Sequence, residues 1–162
     1  MKFELEELVN IYGEKLLRYA ASILYNSYDA EDIVQDVFIS ANLNQDKFDG
    51  KNLSAWLYKI TYNKCMNKLK RRKVLFFNDV GDVAVPDFAE SSNDGDIWRV
   101  LKILKPADRA LLYGKIMEGY SYEELSEQMG GTADGLRKRY ERAKRKIAQH
   151  LDFSYEAKGA IV

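Results

Sequence analysis

A dense cluster of basic side chains near the C-terminus of the 162-residue chain is suited to binding phosphate groups. Between Leu136 and Ile147 there are seven basic residues and a single acid, Glu141. Apolar residues in this segment step by four, three and four, so one helix face can be buried while the basic side chains occupy the others. Such a helix can follow a nucleic-acid backbone. The alternative is a solvated helix ending a bundle, but one acid is too few for salt-bridge pairing along it.

The residues before this helix predict the element that positions it. An S-x-x-E capping box at 121–124 predicts a short helix over 122–129. Glycines at 130–131 end that helix, and Thr132 is suited to cap the basic helix, which we expect to reach about residue 150. A short helix, a glycine-containing turn and a second helix form a helix-turn-helix, whose second helix enters the major groove of DNA.

A second basic cluster closes the N-terminal half of the chain and follows a helix rich in aromatic residues. It comprises Lys64, Lys68, Lys70, Arg71, Arg72 and Lys73, with no acid among them. Aromatic rings beside cations can stack unpaired bases and hold their backbone. Trp56 lies in the apolar stripe of this helix, which favours a core position for its ring. Tyr58, Lys59 and Asn63 lie off the stripe and are better candidates for contact.

A third cluster is acidic and lies on a helix whose opposite face is apolar. It comprises Glu31, Asp32, Gln35 and Asp36. Carboxylates near a helix N-terminus complement the helix dipole, which accounts for Glu31 and Asp32 but less well for Asp36. The other interpretation is a surface for a partner that presents cationic and amide groups.

The elements that carry these clusters all have helical periodicity, so we predict an all-α fold. Apolar stripes predict helices over about 4–24, 30–41 and 53–73, with Ser27 or Asp29 as the cap of the second. Helices resume at about residue 96. No strand pattern appears.

The charge distribution divides the chain into two small helical domains. The totals balance at 25 basic and 25 acidic residues, but residues 74–96 carry six acids and no base. With their glycines, proline and Ser-Ser-Asn run, these residues predict a flexible acidic linker. We therefore expect one domain over 1–73, a second over 97–150, and a tail over 151–162.

Composition excludes several functional classes. Cys65 and His150 are the only residues of their types, so we expect no intrachain disulfide, no metal site and no cofactor. We expect no enzymatic activity, because nucleophile motifs and His–carboxylate pairs are absent. Neither a signal peptide nor a membrane-spanning apolar run appears, which predicts a cytoplasmic protein without membrane insertion.

Four segments together resemble bacterial RNA polymerase sigma factors of the extracytoplasmic-function group. They read DAEDIVQDVF at 29–38, AWLYKITYN at 55–63, GYSYEELSEQMG at 119–130 and LRKRYERAKRKI at 136–147. Each motif alone is weak evidence. Their order, with a variable linker between the two pairs, is strong evidence, and the resemblance covers about residues 5–73 and 97–150.

The resemblance implies partners for each cluster. Core RNA polymerase would bind the acidic helix through the clamp helices of its largest subunit, at Asp32, Gln35 and Asp36. The first domain would also melt and read the minus-ten promoter element, through Lys47, Phe48, Asn52, Ser54, Lys59, Tyr62 and Asn63. The helix-turn-helix would read the minus-thirty-five element as duplex, through Thr132, Ala133, Asp134, Arg137, Lys138, Arg139 and Arg142. The acidic linker would enter a polymerase channel built for nucleic acid, and an anti-sigma factor is a further implied partner.

Two glycines depart from the family pattern. Gly131 stands in the turn where an apolar residue is usual, so we expect a small core contact to be lost there. Gly135 lies in the recognition helix and costs about 1 kcal/mol relative to alanine. Two other functions remain open: a free-standing helix-turn-helix regulator, for which the acidic helix face has no use, and a sigma-like decoy for an anti-sigma protein, in which the basic helix should be degraded.

Overall fold

The computed structural model describes residues 2–75 and 95–159, which form seven α-helices and contain no strand. This confirms the predicted all-α class. Most of the predicted acidic linker, residues 76–94, and the last three residues of the tail lie outside the described residues.

The helices follow the predicted stripes closely, except at the C-terminus. They are α1 (Leu5–Leu24), α2 (Ser27–Leu43), α3 (Leu53–Leu75), α4 (Gly95–Leu101), α5 (Pro106–Ile116), α6 (Tyr122–Met129) and α7 (Ala133–Gly159), with a 3-10 turn at Gln45–Lys47. Helix α7 continues nine residues beyond the predicted end near residue 150. Leu151 and Tyr155 continue the four-residue apolar spacing from Ile147, and neither glycine nor proline occurs between residues 136 and 158, so the sequence itself allows the longer helix.

Helix α2 begins with a different cap from the one predicted. The side chain of Asn26 accepts a hydrogen bond from the backbone N–H of Asp29 at 3.1 Å, so Asn26 is the cap and neither Ser27 nor Asp29 is. The Asp29 carboxylate instead forms ion pairs with Lys68, at 3.5 Å, and with Arg72. Two members of the second basic cluster therefore fasten α3 to the start of α2.

The helices form two groups, which we call the N-terminal group (α1–α3) and the C-terminal group (α4–α7). A single buried cluster contains residues of both. Its centre is aromatic: the ring of Tyr19 lies 4.7 Å from Tyr58 of its own group and 5.5 Å from Tyr113 of the other. Tyr58 in turn lies 5.6 Å from Tyr120. The two groups thus pack against each other through side chains that local periodicity assigns to separate cores.

Arg109 of α5 reaches across this boundary to the C-terminal end of α1. Its Nε and Nη2 donate hydrogen bonds to the backbone carbonyls of Ser22, at 2.5 Å, and Ile23, at 2.6 Å. Its Nη1 donates to the carbonyl of Leu104 at 2.7 Å, and its guanidinium lies 5.7 Å from the ring centre of Tyr25. Burial lowers the pKa of the guanidinium, and the nearby Tyr25 opposes that shift.

Arg109 caps the C-terminal end of α1, which the residues of α1 itself leave uncapped. The last carbonyls of a helix have no partner within it, and the last turn of α1 contains no basic residue. Arg109 satisfies two of these carbonyls and places a positive charge at the negative end of the helix dipole. An arginine of the C-terminal group therefore caps a helix of the N-terminal group.

Gly114 lets α5 and α6 approach closely inside the C-terminal group. A Cβ at this position would lie 2.7 Å from Cδ2 of Leu125, a side chain that is itself fully buried. At Gly13 of α1, by contrast, the nearest atom to a Cβ is Val9 Cγ1 at 3.7 Å, an ordinary contact.

These two glycines give a matched pair of substitutions with opposite expected effects. Gly114→Ala should lower the free energy of unfolding by about 1–2 kcal/mol, because overpacking outweighs the gain in helix propensity. Gly13→Ala should raise it by about 0.5–1 kcal/mol, because only the propensity changes. Urea unfolding followed by circular dichroism measures both. A Gly114→Ala protein as stable as Gly13→Ala would contradict the close approach of α5 and α6.

Candidate nucleic-acid and polymerase interfaces

The helix-turn-helix is built by local hydrogen bonds that its own residues provide. The Ser121 hydroxyl accepts from the backbone N–H of Glu124 at 3.1 Å, and the Glu124 carboxylate accepts from the N–H of Ser121 at 3.0 Å. The predicted capping box is therefore confirmed. At the start of α7, the Thr132 hydroxyl accepts from the N–H of Gly135 at 3.0 Å, which confirms the predicted cap.

The turn between α6 and α7 needs the glycines that the sequence places there. Gly130 and Gly131 have φ angles of 85° and 80°, in the left-handed region that favours glycine. No atom lies within 4 Å of a Cβ built on Gly131, so this glycine leaves no hole in the core. The expected loss of a core contact at Gly131 is wrong, because the position faces solvent.

Most of the predicted minus-thirty-five residues lie exposed at the start of α7. Those with exposed side chains are Thr132, Asp134, Arg137, Lys138 and Arg142, and Ala133 is half-buried. Arg137 donates to the Asp134 carboxylate at 2.9 Å, one turn earlier on the same face. The Arg137 side chain stays 57% exposed despite this pair, so it can reach a phosphate as the exposed Lys138 and Arg142 can.

Arg139 differs from its neighbours because it is held within the C-terminal group. Its Nε and Nη2 both donate to one carboxylate oxygen of Asp108, at 3.2 and 2.8 Å. Asp108 lies in the first turn of α5, so this pair joins α5 to α7. The sequence places Arg139 among the DNA contacts, and the structure gives its guanidinium a protein partner.

The predicted minus-ten residues of α3 fall on two different faces. Asn52, Lys59 and Asn63 are exposed to solvent, and they recur at helical spacing. Ser54 and Tyr62 lie on another face, which packs against the C-terminal group. The Ser54 hydroxyl is hydrogen-bonded to the Tyr120 hydroxyl at 2.6 Å, and the Tyr62 side chain is only 9% exposed.

Tyr58 lies on this packed face as well, so its interpretation as an exposed contact residue is wrong. Its ring is fully buried, and its hydroxyl donates to the Glu118 carboxylate at 2.6 Å. Burial and this hydrogen bond raise the pKa of Tyr58. Burial also raises the pKa of Tyr62, while nearby Arg139 lowers it and nearby Asp108 raises it further.

The loop before α3 is held by a small aromatic cluster. Phe48 lies 5.1 Å from Trp56 and 6.4 Å from Phe3, measured between ring centres. All three rings are partly buried, which agrees with the core position expected for Trp56. Lys47, next to Phe48, is exposed. The cluster thus fixes the approach to the N-terminus of α3.

The predicted polymerase-binding residues form one exposed face of α2. Asp32, Gln35 and Asp36 are all exposed, and the apolar residues of the helix face the core. The same face continues with Ile39 and Leu43, which are 56% and 74% exposed. Ile39 and Leu43 are not among the predicted site residues, although each follows an acidic residue of this face, Asp32 or Asp36, by seven residues. The face therefore combines carboxylates with apolar side chains.

Comparisons with known proteins identify the family of the chain. Residues 8–74 match the family described as Sigma-70 region 2, and residues 94–147 match Sigma-70, region 4. The chain is 27% identical to the ECF RNA polymerase sigma factor SigW of Bacillus subtilis, over 90% of this chain and 87% of that protein. It is 30% identical to the RNA polymerase sigma factor NccH of Alcaligenes xylosoxydans xylosoxydans, over 91% of this chain and 87% of that protein.

A solved structure has the same fold. The sigma factor RpoE from Bartonella quintana, in complex with the anti-sigma factor NepR, superposes with a TM-score of 0.79 at 25% identity. The match covers 91% of this chain and 96% of that one. The chain belongs to the sigma-70 family, as an RNA polymerase sigma factor of the extracytoplasmic-function group. It is thus a DNA-binding factor of transcription initiation.

None of the helices within residues 2–75 and 95–159 combines the length and apolar character that a membrane span requires. Within the same ranges, no group of three or more histidine, cysteine, aspartate or glutamate side chains is placed to hold a metal ion.

Proposed function

We propose that the chain divides promoter recognition between its two helical groups while one face of α2 holds core RNA polymerase. The observation that carries this proposal is that the exposed residues of the three candidate surfaces lie on or next to three different helices, α2, α3 and α7. The chain would supply sequence recognition and strand separation, and the polymerase the catalysis, so the chain itself is not an enzyme. It would act in the cytoplasm, where the polymerase and its template are.

The polymerase contact would be made by Asp32, Gln35 and Asp36 on α2. Carboxylates and an amide on one exposed face suit a partner with cationic and amide groups. Ile39 and Leu43 would add an apolar contact beside this polar one, because interfaces combine apolar burial with polar pairing. The partner would be the clamp helices of the largest polymerase subunit.

DNA would be contacted by two elements with different chemistry. The start of α7 would enter the major groove, with base contacts from its first turn and phosphate contacts from Arg137, Lys138 and Arg142. Helix α3 would engage the melted strand through Asn52, Lys59 and Asn63. Phe48, Ser54, Tyr62 and Lys47 would complete the minus-ten surface, with Ser54 and Tyr62 available only when their present neighbours move away.

An anti-sigma protein is a further proposed partner. The support is the match to RpoE in its complex with NepR, which covers nearly all of both chains. Such a protein would act by covering surfaces that the polymerase or the promoter uses.

Run-off transcription tests the function directly. Purified core polymerase is incubated with fragments of the source genome, with and without this chain. We expect discrete transcripts that depend on the chain. If duplex DNA bound the chain alone but no transcript depended on it, the protein would be a free-standing helix-turn-helix regulator, and the proposal would fail.

Reversing one charge on α2 should separate polymerase binding from folding. Asp36→Arg should weaken association with core polymerase by at least about 100-fold, because a like charge replaces a paired one at the interface. Glu7→Arg, the same change at an exposed position on α1, is the control and should bind normally. Association is measured by pull-down, and helical content by circular dichroism. Equal binding by both variants would remove α2 from the polymerase interface.

Variants of the two DNA-contacting helices should have different binding defects, one in duplex binding and one in capture of the open strand. Arg137→Ala with Lys138→Ala should reduce the log–log salt dependence of duplex binding by about 0.9 per lost phosphate contact. Lys59→Ala with Asn63→Ala should impair capture of the open strand, at about 1–3 kcal/mol per base held. Arg139 is left unchanged, because its removal would also break the ion pair with Asp108.

A promoter that is already open distinguishes these two defects. A pre-formed bubble at the minus-ten element removes the cost of unpairing, so it should partly restore open complexes to the α3 variant. It should not restore them to the α7 variant. Open-complex formation is measured on intact and pre-melted templates that the run-off assay identifies. Equal rescue of both variants, or rescue of the α7 variant alone, would contradict the division of work.

A further inference from the structure

The last three turns of α3 carry a basic surface that the proposed minus-ten contacts leave unused. Those contacts end at Asn63, whereas the helix continues to Leu75, about 18 Å further. This part of the helix holds the second basic cluster, with six basic residues and no acid between positions 64 and 73. Cations gathered on one element without acids among them are the electrostatic signature of a site for nucleic-acid phosphates.

One acidic residue of α2 divides this cluster into two sets. Asp29 forms ion pairs with Lys68, at 3.5 Å, and with Arg72. The side chains of Asp29, Lys68 and Arg72 are 19%, 25% and 33% exposed. Lys68 and Arg72 lie one helical turn apart, so both are drawn to the side of α3 that meets α2. Asp29 therefore holds two of the six cations away from solvent.

The other four cations form the exposed set of the cluster. Lys70, Arg71 and Lys73 are exposed, and Lys64 is half-buried. No ion pair joins any of the four to another residue within 2–75 and 95–159. Lys70 follows Asn63 by seven residues, so it continues the side of α3 that carries the proposed minus-ten contacts.

The composition of residues 64–73 favours duplex DNA over an unpaired strand as the partner. Capture of unpaired bases relies on aromatic side chains on which the bases stack. Residues 64–73 contain no aromatic residue. Duplex DNA presents one phosphate charge per about 1.7 Å of its axis, so it rewards a row of cations even without base contacts.

From this division we propose that Lys70, Arg71 and Lys73 bind the phosphates of duplex DNA next to the open minus-ten strand, and that Asp29 limits this binding by holding Lys68 and Arg72 against α2. The inference deepens the proposed minus-ten surface, on which the position beside the open strand rests. The duplex binding itself needs neither polymerase nor a promoter.

Asp29 would thereby lower the affinity of the chain for DNA of any sequence. Phosphate contacts carry no sequence information, so each one strengthens binding to every competing site. Two more contacts would steepen the log–log salt dependence of duplex binding by about 1.8. Lys68 and Arg72 would also repel each other without a carboxylate between them. One acid thus joins α2 to α3 and keeps sequence-independent binding low.

Two double substitutions on the same helix separate the exposed cations from the held ones. Lys70→Gln with Arg71→Gln removes one lysine and one arginine from the exposed set. Lys68→Gln with Arg72→Gln removes the same charges from the set held by Asp29, and is the matched control.

The assay measures duplex binding by α3 in the full chain. Every variant also carries Arg137→Ala and Lys138→Ala, so that α7 contributes little. Binding of a labelled duplex of random sequence, and of one of its strands, is measured by fluorescence anisotropy between about 50 and 200 mM salt. Circular dichroism reports helical content.

The exposed pair and the held pair should give different results. We expect Lys70→Gln with Arg71→Gln to flatten the log–log salt dependence of duplex binding by about 1.8, which is about 0.9 for each lost phosphate contact. Lys68→Gln with Arg72→Gln should leave that slope unchanged. If this control loses helix, Lys68→Gln against Lys70→Gln makes the same comparison one charge at a time.

Asp29→Asn should strengthen duplex binding, because it frees two cations. The slope should steepen by up to about 1.8, so the affinity relative to the chain with Asp29 should grow about tenfold as salt falls from 200 to 50 mM. A purely structural role for Asp29 would produce no such gain. If Asp29→Asn does not fold, the two double variants decide alone.

Three results would overturn the proposal. An equal loss in both double variants would show that only net charge matters. A folded Asp29→Asn chain with an unchanged slope would show that Asp29 withholds nothing. A loss confined to the single strand would assign the cluster to the open strand. Because the assay uses no promoter, a chain that gives the expected slopes but supports no specific transcription would contradict the proposed function and leave the duplex surface supported.

Discussion

The arrangement of this protein depends on a helix end that its own residues do not cap. Helix α1 finishes without a basic residue in its last turn, and the guanidinium of Arg109 satisfies two of its carbonyls from the other helical group. Burying that charge is acceptable only because three carbonyls receive its hydrogen bonds. This requirement sets where α5 crosses α1, and α5 carries Asp108, Gly114 and the rest of the helix-turn-helix with it.

Each helical group also contains contacts of its own, apart from this crossing. In the C-terminal group, Leu104, Leu112 and Ala143 form a small core of their own, and Asp108 joins α5 to α7 through Arg139. In the N-terminal group, Asp29 joins α2 to α3 through Lys68 and Arg72. The ion pairs therefore join helices within one group. The aromatic and carbonyl contacts join the two groups to each other.

The sequence predicted those features whose causes are local. Apolar periodicity located the helices, and the pairing of Ser121 with Glu124 located the start of α6 to the residue, because a capping box involves only neighbours in the chain. Arg109, Tyr58 and Glu118 were missed or misread, because their partners lie 60 to 87 residues away. Tyr58 departs from the apolar stripe of α3, and it is buried between Tyr19 of its own group and Tyr120 of the other. Packing by the second group also explains why Ser54 and Tyr62 are covered while Lys59 and Asn63 are exposed.

Ser54 and Tyr62 each belong to two surfaces at once, and this limits how such a protein can evolve. Both positions belong to the surface proposed to read the minus-ten element, and both contact or face the helical group that covers it. A substitution selected for a new promoter sequence would at the same time change the packing between the two helical groups. Promoter choice and the fit between the two groups would therefore change together at these two positions, whereas the exposed Lys59 and Asn63 can vary without disturbing that fit.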